Sequence, residues 1–212
     1  RTPGLGNFKR NDIQVFNFPY QMNRWDSVRF DVMQYYVKRC IVLPGDTLEI
    51  RGGFYKIRGC DEQLGNYSAQ HDLANLDHPE QYGIVVSTFP YDKQIGWTIC
   101  EFGPLPIPKK EQIVMMNRTN CLLYRQLIGW EQMKKLRIKD GQILLGDSAI
   151  TQYRFRKNYY FVSGDNMANS PDSRYWGMLP EEYIVGKATR IWYSEDKFTE
   201  KPRWDRIMKK IK

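Results

Sequence analysis

The sequence is nearly empty of histidine, with 2 in 212 residues. It has four cysteines, Cys40, Cys60, Cys100 and Cys121, scattered without a Cys-x-x-Cys pair. A zinc site built from His and Cys ligands is therefore not expected, and no cofactor motif appears. Spacing leaves the thiols open between buried free cysteines and up to two disulfides. No stretch approaches the roughly 18 consecutive apolar residues of a membrane-spanning helix. There is no internal repeat and no low-complexity run. The chain opens at Arg1 with no charged-then-apolar leader, which leads us to expect a piece of a longer protein.

What is present argues for a folded core. Aromatic residues make up 14% and hydrophobic residues 42%, far too much for a disordered chain. The formal net charge is +8, which suggests an anionic partner. Its placement narrows the choice. The last twelve residues hold six bases, Lys201, Arg203, Arg206, Lys209, Lys210 and Lys212, against one acid, Asp205. That surplus of five leaves the other 200 residues near neutral, so no basic face for a nucleic acid is expected. The tail reads either as a solvated end or as a contact for anionic lipid, with Trp204 at the interface. Trp192 is expected in the core, with an interfacial position as the alternative.

Alternation predicts a mostly β chain. Strands are expected over residues 12–18, 35–43, 47–50 and 54–57, the last two as a hairpin after the turn Pro44-Gly45-Asp46. Residues 59–112 are broken by Pro79, Pro90, Pro104, Pro106 and Pro108, with a strand-like patch at 84–89. A helix is expected over 120–133, capped by Thr119 or Asn120. Asp140-Gly141 suits a type I′ hairpin turn. Strands are expected again over 153–162 and 183–193. The domain reading is a β core from 1–58 and 150–196, an inserted variable lobe over 59–149, and a basic tail over 197–212.

Two segments can carry chemistry. In Tyr36-Val37-Lys38-Arg39-Cys40-Ile41-Val42-Leu43-Pro44-Gly45-Asp46, a lysine sits within an apolar strand. Such a lysine either extends its head into water or is desolvated, and desolvation lowers its pKa toward that of a general base. In Gly164-Asp165-Asn166-Met167-Ala168-Asn169-Ser170-Pro171-Asp172-Ser173-Arg174-Tyr175-Trp176-Gly177, the composition is that of a loop. It reads either as an ordered surface loop or as an internal hydrogen-bond network in which Asp172 and Arg174 pair.

Together with Lys9–Phe16 and Leu179–Ala188, these segments resemble the bacterial type I signal peptidases of the Ser/Lys class. That family carries Lys-Arg-x-Ile-Gly-Leu-Pro-Gly-Asp and Gly-Asp-Asn-x-x-Asn-Ser-x-Asp-Ser-Arg-x-Trp-Gly in the same order. The resemblance covers residues 9–57 and 153–193. It implies coiled antiparallel β-sheets with one or two short helices. It implies Lys38 as general base and Ser170 as the hydroxyl that orients its amine. Gly164, Asp165, Asp172 and Arg174 would brace the site. Tyr35, Tyr36 and Val37 would bind the substrate by strand addition, Val37 facing pockets for small residues. The implied substrate is the signal-peptide region of exported preproteins, cut after Ala-x-Ala. The implied place is the extracytoplasmic side of the bacterial inner membrane, with no cofactor and no metal.

The chain departs from the pattern at Asn11, Cys40, Val42, Met167 and Ala168. The larger departure concerns the nucleophile, which in the family is the Ser of a Ser-Met-x-Pro-Thr segment following a membrane anchor. None of Ser27, Ser68, Ser87, Ser148, Ser163, Ser170, Ser173 and Ser194 has that context. The expectation is a fragment whose nucleophile lies upstream and which is inactive alone. The alternatives are an inactive peptide-binding relative or a self-cleaving peptidase of the SOS-repressor type. A nucleic-acid binder is disfavoured by the position of the charge.

Overall fold

A computed structural model describes residues 7–21, 24–28, 35–196 and 199–211. The chain begins with β1 (Ile13–Asn17), β2 (Tyr20–Gln21), β3 (Arg24–Val28) and β4 (Tyr35–Val42), then β5 (Thr47–Arg51) and β6 (Phe54–Ile57). Helix α1 (Tyr67–Ala74) and β7 (Phe102–Pro106) follow. After β8 (Ile113–Met115) come α2 (Arg118–Gln132), β9 (Leu136–Lys139), β10 (Gln142–Leu145) and β11 (Ser148–Ala149). The last elements are β12 (Gln152–Arg154), β13 (Tyr159–Ser163), one-turn α3 (Ser173–Trp176), β14 (Leu179–Pro180) and β15 (Ile184–Lys187).

The fold is mostly β, as expected. The main sheet has the order β14-β13-β4-β1-β15, all antiparallel. A second sheet has the order β6-β5-β7. The turn joining them is specified locally. Gly45 has φ +95°, a conformation open mainly to glycine. The Asp46 carboxylate accepts from Leu43 N–H at 3.1 Å and from Arg10 at 2.8 Å. β7 is an edge strand, which explains how Pro104 and Pro106 fit within it: proline leaves no ladder donor to miss there.

β4 lies between two apolar clusters. Cys40 faces the one containing Phe16, Phe18 and Trp176, while Ile41 and Val42 join the one around Leu48 and Phe161. Trp176 is 1% exposed and its ring lies 5.8–6.1 Å from those of Phe16, Phe18 and Tyr20. Burial of each such side chain contributes about 1.5–3 kcal/mol.

Several local expectations need correction. The helix cap is Asn117, whose side chain accepts from Asn120 N–H, rather than Thr119 or Asn120. The 153–162 strand is split at residues 155–158, because Glu131 of α2 intervenes. Its carboxylate accepts from Arg156 N–H at 3.0 Å and from the hydroxyls of Tyr153 and Tyr159 at 2.6 Å. The 183–193 strand stops at Lys187, where its partner β1 runs out. Residues 84–89 form only a bridge between Ser87 and Thr98. Helices α1 and α3 are additions. Asp140 and Gly141 have φ +50° and +76°, as the hairpin requires, and all four cysteines are free.

Candidate active site

Lys38 is on β4, opposite Gln14 of β1. The two flanks of β4 differ. β1 pairs with Tyr35 through Arg39, whereas β13 pairs with Arg39, Cys40 and Val42. On the β13 side, Tyr35–Lys38 therefore present an edge with no strand partner among the described residues. Tyr35 and Val37 point outward, 60% and 57% exposed. Tyr36 points the other way and packs on Phe18 with ring centroids 4.7 Å apart.

The loop after β13 brings Ser170 to Lys38. Lys38 Nζ donates to Ser170 Oγ at 2.6 Å, across 132 residues of sequence. Ser170 is 6% exposed and Lys38 is half-buried. Burial lowers the Lys38 pKa from its ordinary value, helped by Arg174, while Asp172 and Asp165 oppose it. Gly164 makes the approach possible. A Cβ on it would overlap Ser170 Oγ and come within 3.2 Å of Lys38 Nζ.

Beneath this pair lies a fully buried ion pair. Asp172 and Arg174 are both 0% exposed and 2.9 Å apart. Asp172 also accepts from Gly164 N–H at 3.0 Å, Ser163 Oγ at 3.1 Å and Arg174 N–H at 3.1 Å. Burial alone would raise the Asp172 pKa, but the Arg174 charge and these hydrogen bonds together hold it below the ordinary carboxylate value. Arg174 donates as well to the Met167 carbonyl at 2.9 Å. Arg174 Nη1 is buried without a hydrogen-bond partner, yet the pair fixes the loop, because removal of either partner strands a charge.

Sequence reasoning missed two braces. Arg39 holds Asp165 with two hydrogen bonds, at 2.7 and 2.8 Å, so Asp165 closes the loop against β4. Tyr55 of β6 donates to Ser163 Oγ at 2.6 Å, linking the second sheet through Ser163 to Asp172. The position of Arg39 beside Lys38 was the available signal for the first. Nothing local marked Tyr55.

The site thus gathers Lys38, Ser170, Gly164, Asp165, Asp172 and Arg174, with Tyr35 and Val37 along the open edge. The geometry offers a half-buried amine, its pKa lowered by burial, held by one hydroxyl next to a strand edge. Among the described residues no three His, Cys, Asp or Glu side chains converge as a metal site. No helix among them is long and apolar enough to cross a membrane.

Comparison with known proteins places these features in a family. Residues 2–193 match the family described as signal peptidase, peptidase S26. Signal peptidase I of Pseudomonas fluorescens is 41% identical over 217 residues, covering 96% of this chain and 56% of the relative. That of Buchnera aphidicola subsp. Schizaphis graminum is 30% identical over 190 residues, covering 89% and 55%. A crystal structure of signal peptidase I from Enterococcus faecalis V583 aligns with 20% identity and a TM-score of 0.41, covering 88% of this chain and all of that one. The chain spans about half the length of the curated relatives it matches. With a family match across nearly its whole length, the chain belongs to the signal peptidase family, peptidase S26.

Proposed function

We propose that this chain carries the general base of a serine endopeptidase that removes signal peptides from exported preproteins after Ala-x-Ala-like stretches. The observation that carries the reading is Lys38, a half-buried lysine with a lowered pKa and one N–H held by Ser170. A neutral amine has one lone pair. Holding an N–H on Ser170 Oγ keeps that lone pair off the loop hydroxyl and leaves it for a reacting group.

In this mechanism the nucleophilic serine lies outside the chain and forms a dyad with Lys38. The substrate adds as a strand along Tyr35–Val37, its small side chains beside Val37. The serine attacks the scissile carbonyl while Lys38 takes its proton. The C–N bond breaks as Lys38 returns that proton to the leaving amine. Lys38 then deprotonates a water that hydrolyses the acyl-enzyme. Gly164, Asp165, Asp172 and Arg174 keep Ser170 in place. The chain alone is then inactive for want of the serine.

The test is Lys38→Ala in the full-length protein, assayed on a preprotein with an Ala-x-Ala site. Cleavage should fall to background with folding intact, by a factor on the order of 10⁴ or more. Wild-type kcat/KM should rise with pH through the lowered Lys38 pKa, since only the neutral amine accepts a proton. Cleavage retained by Lys38→Ala would overturn the reading.

The proposed location is the extracytoplasmic side of the bacterial inner membrane, with anionic lipid as a partner of the C-terminal segment. Trp192 and Trp204 are 82% and 77% exposed, so the expected core position of Trp192 is corrected. Arg190, Lys201, Arg203, Arg206, Lys209 and Lys210 flank them in sequence, with Glu195, Asp196, Glu200 and Asp205 between and Arg203 paired to Asp196; Lys212 lies outside the described residues. Exposed indoles among bases suit a headgroup layer. Trp192→Ala with Trp204→Ala should weaken binding of the 212-residue chain to anionic vesicles. Unchanged sedimentation with vesicles would refute the contact.

A further inference from the structure

A peptide on the open edge has only one way to continue. Its residues before the cut lie along Tyr35–Val37, so those after the cut lie beyond Lys38. There the edge is already taken by β13, which pairs with Arg39, Cys40 and Val42, so the peptide must leave the edge, where the loop that follows β13 carries Ser170.

A pocket of about 200 Å³ opens at that point. One wall is Asn169, Ser170 and Pro171. Val85 and Tyr91, from the segment between the two halves of the main sheet, also line it, as does Tyr175. The two sides are tied together. Tyr175 Oη donates to the Val85 carbonyl at 3.0 Å, and Phe89 N–H donates to the Arg174 carbonyl at 2.9 Å. Yet Val85 and Tyr91 leave about half their surface in solvent, 57% and 51%. The volume is below the roughly 300–1,000 Å³ of small-molecule sites and suits one side chain. A second depression of about 660 Å³ shares Val85 and Tyr91 and is lined further by Thr88, Lys93 and Trp97.

We infer that this pocket receives an apolar side chain of the substrate immediately after the cleaved bond, and that Val85 and Tyr91 determine which side chains enter. The inference rests on the peptidase reading above. It makes the first residues of the mature protein part of what the enzyme reads. It also gives the 83–91 segment a role in specificity, because it lines one pocket together with Ser170. The larger depression would take the residues that follow.

The test uses the full-length protein and peptides with one Ala-x-Ala stretch followed by Leu, Glu or Lys at the first two positions after the cut. Wild type should favour Leu. Val85→Asp should shift the Lys-to-Glu ratio of kcat/KM upward by roughly tenfold, and Val85→Lys should shift it downward by as much. Preference before the cut should not change in either variant. Val85 is exposed, so both variants should fold, which thermal melting checks. If both keep the wild-type ratios after the cut, the inference is overturned while the peptidase reading stands. If the wild type cuts no such peptide, the peptidase reading fails and this inference with it.

Discussion

The two halves of β4 are one strand with opposite treatments. From Arg39 to Val42 it is paired with β13, Arg39 and Cys40 are bonded on the other side as well, and Cys40, Ile41 and Val42 are 0% exposed. From Tyr35 to Lys38 it is paired on one side, and Tyr35 and Val37 stand in solvent. Lys38 is the last residue of the open half, one step from the clamped half. The difference teaches where rigidity is placed. The clamped half fixes the amine, and the open half leaves hydrogen-bonding backbone for a partner strand. A lysine further inside would have no access to substrate, and one further out would be solvated and keep an ordinary pKa.

The comparison can be broken from either end. The largest effect on stability should come from Arg174→Met, which leaves Asp172 buried without its partner. A loss of about 3–5 kcal/mol is expected in urea unfolding. In the wild type, the Asp172 contribution is fully present above the ordinary carboxylate value and is lost as pH falls through its lowered pKa. In the variant, burial without Arg174 raises that pKa, and protonation relieves the penalty. The gap between the two proteins should therefore narrow from neutral pH toward about pH 4. A loss under about 1 kcal/mol would mean that the loop is not held by this pair. The smallest effect on stability should come from Val37→Phe in the open half, within about 0.5 kcal/mol. In the full-length protein, on the proposed peptidase reading, Val37→Phe should nevertheless lower cleavage of Ala-x-Ala substrates by roughly tenfold, because the added ring occupies space meant for small side chains. Marked destabilisation by this change would show that the edge is packed rather than open.

Much of this contrast was legible in the sequence. The strand pattern around Lys38 and the Pro44-Gly45-Asp46 turn led directly to β4 and its turn, which local chemistry fixes, whereas the Lys38–Ser170 pair was implied only by the resemblance of the two segments to a known family. The misses have a common cause in distant partners. Glu131 takes the Arg156 N–H from another element, and no pattern within 153–162 could announce it. Strand 183–193 was shortened by the length of β1. The roles of Arg39 and Tyr55 depend on residues 126 and 108 positions away. Helix α1 was missed because its apolar positions form no sustained stripe; only Gln70 and Leu73 are buried.

The 132-residue separation of Lys38 and Ser170 has a consequence for folding order. The lysine is synthesised early and its hydroxyl partner late. Before residues 164–174 exist, nothing desolvates the amine or holds its N–H, and it behaves as a surface lysine. Closing so long a loop has an entropic cost that the buried Asp172–Arg174 pair and its hydrogen bonds must offset. The amine therefore gains its hydroxyl partner by the same step that locks the loop. A nascent or incompletely folded chain holds the lysine without that partner.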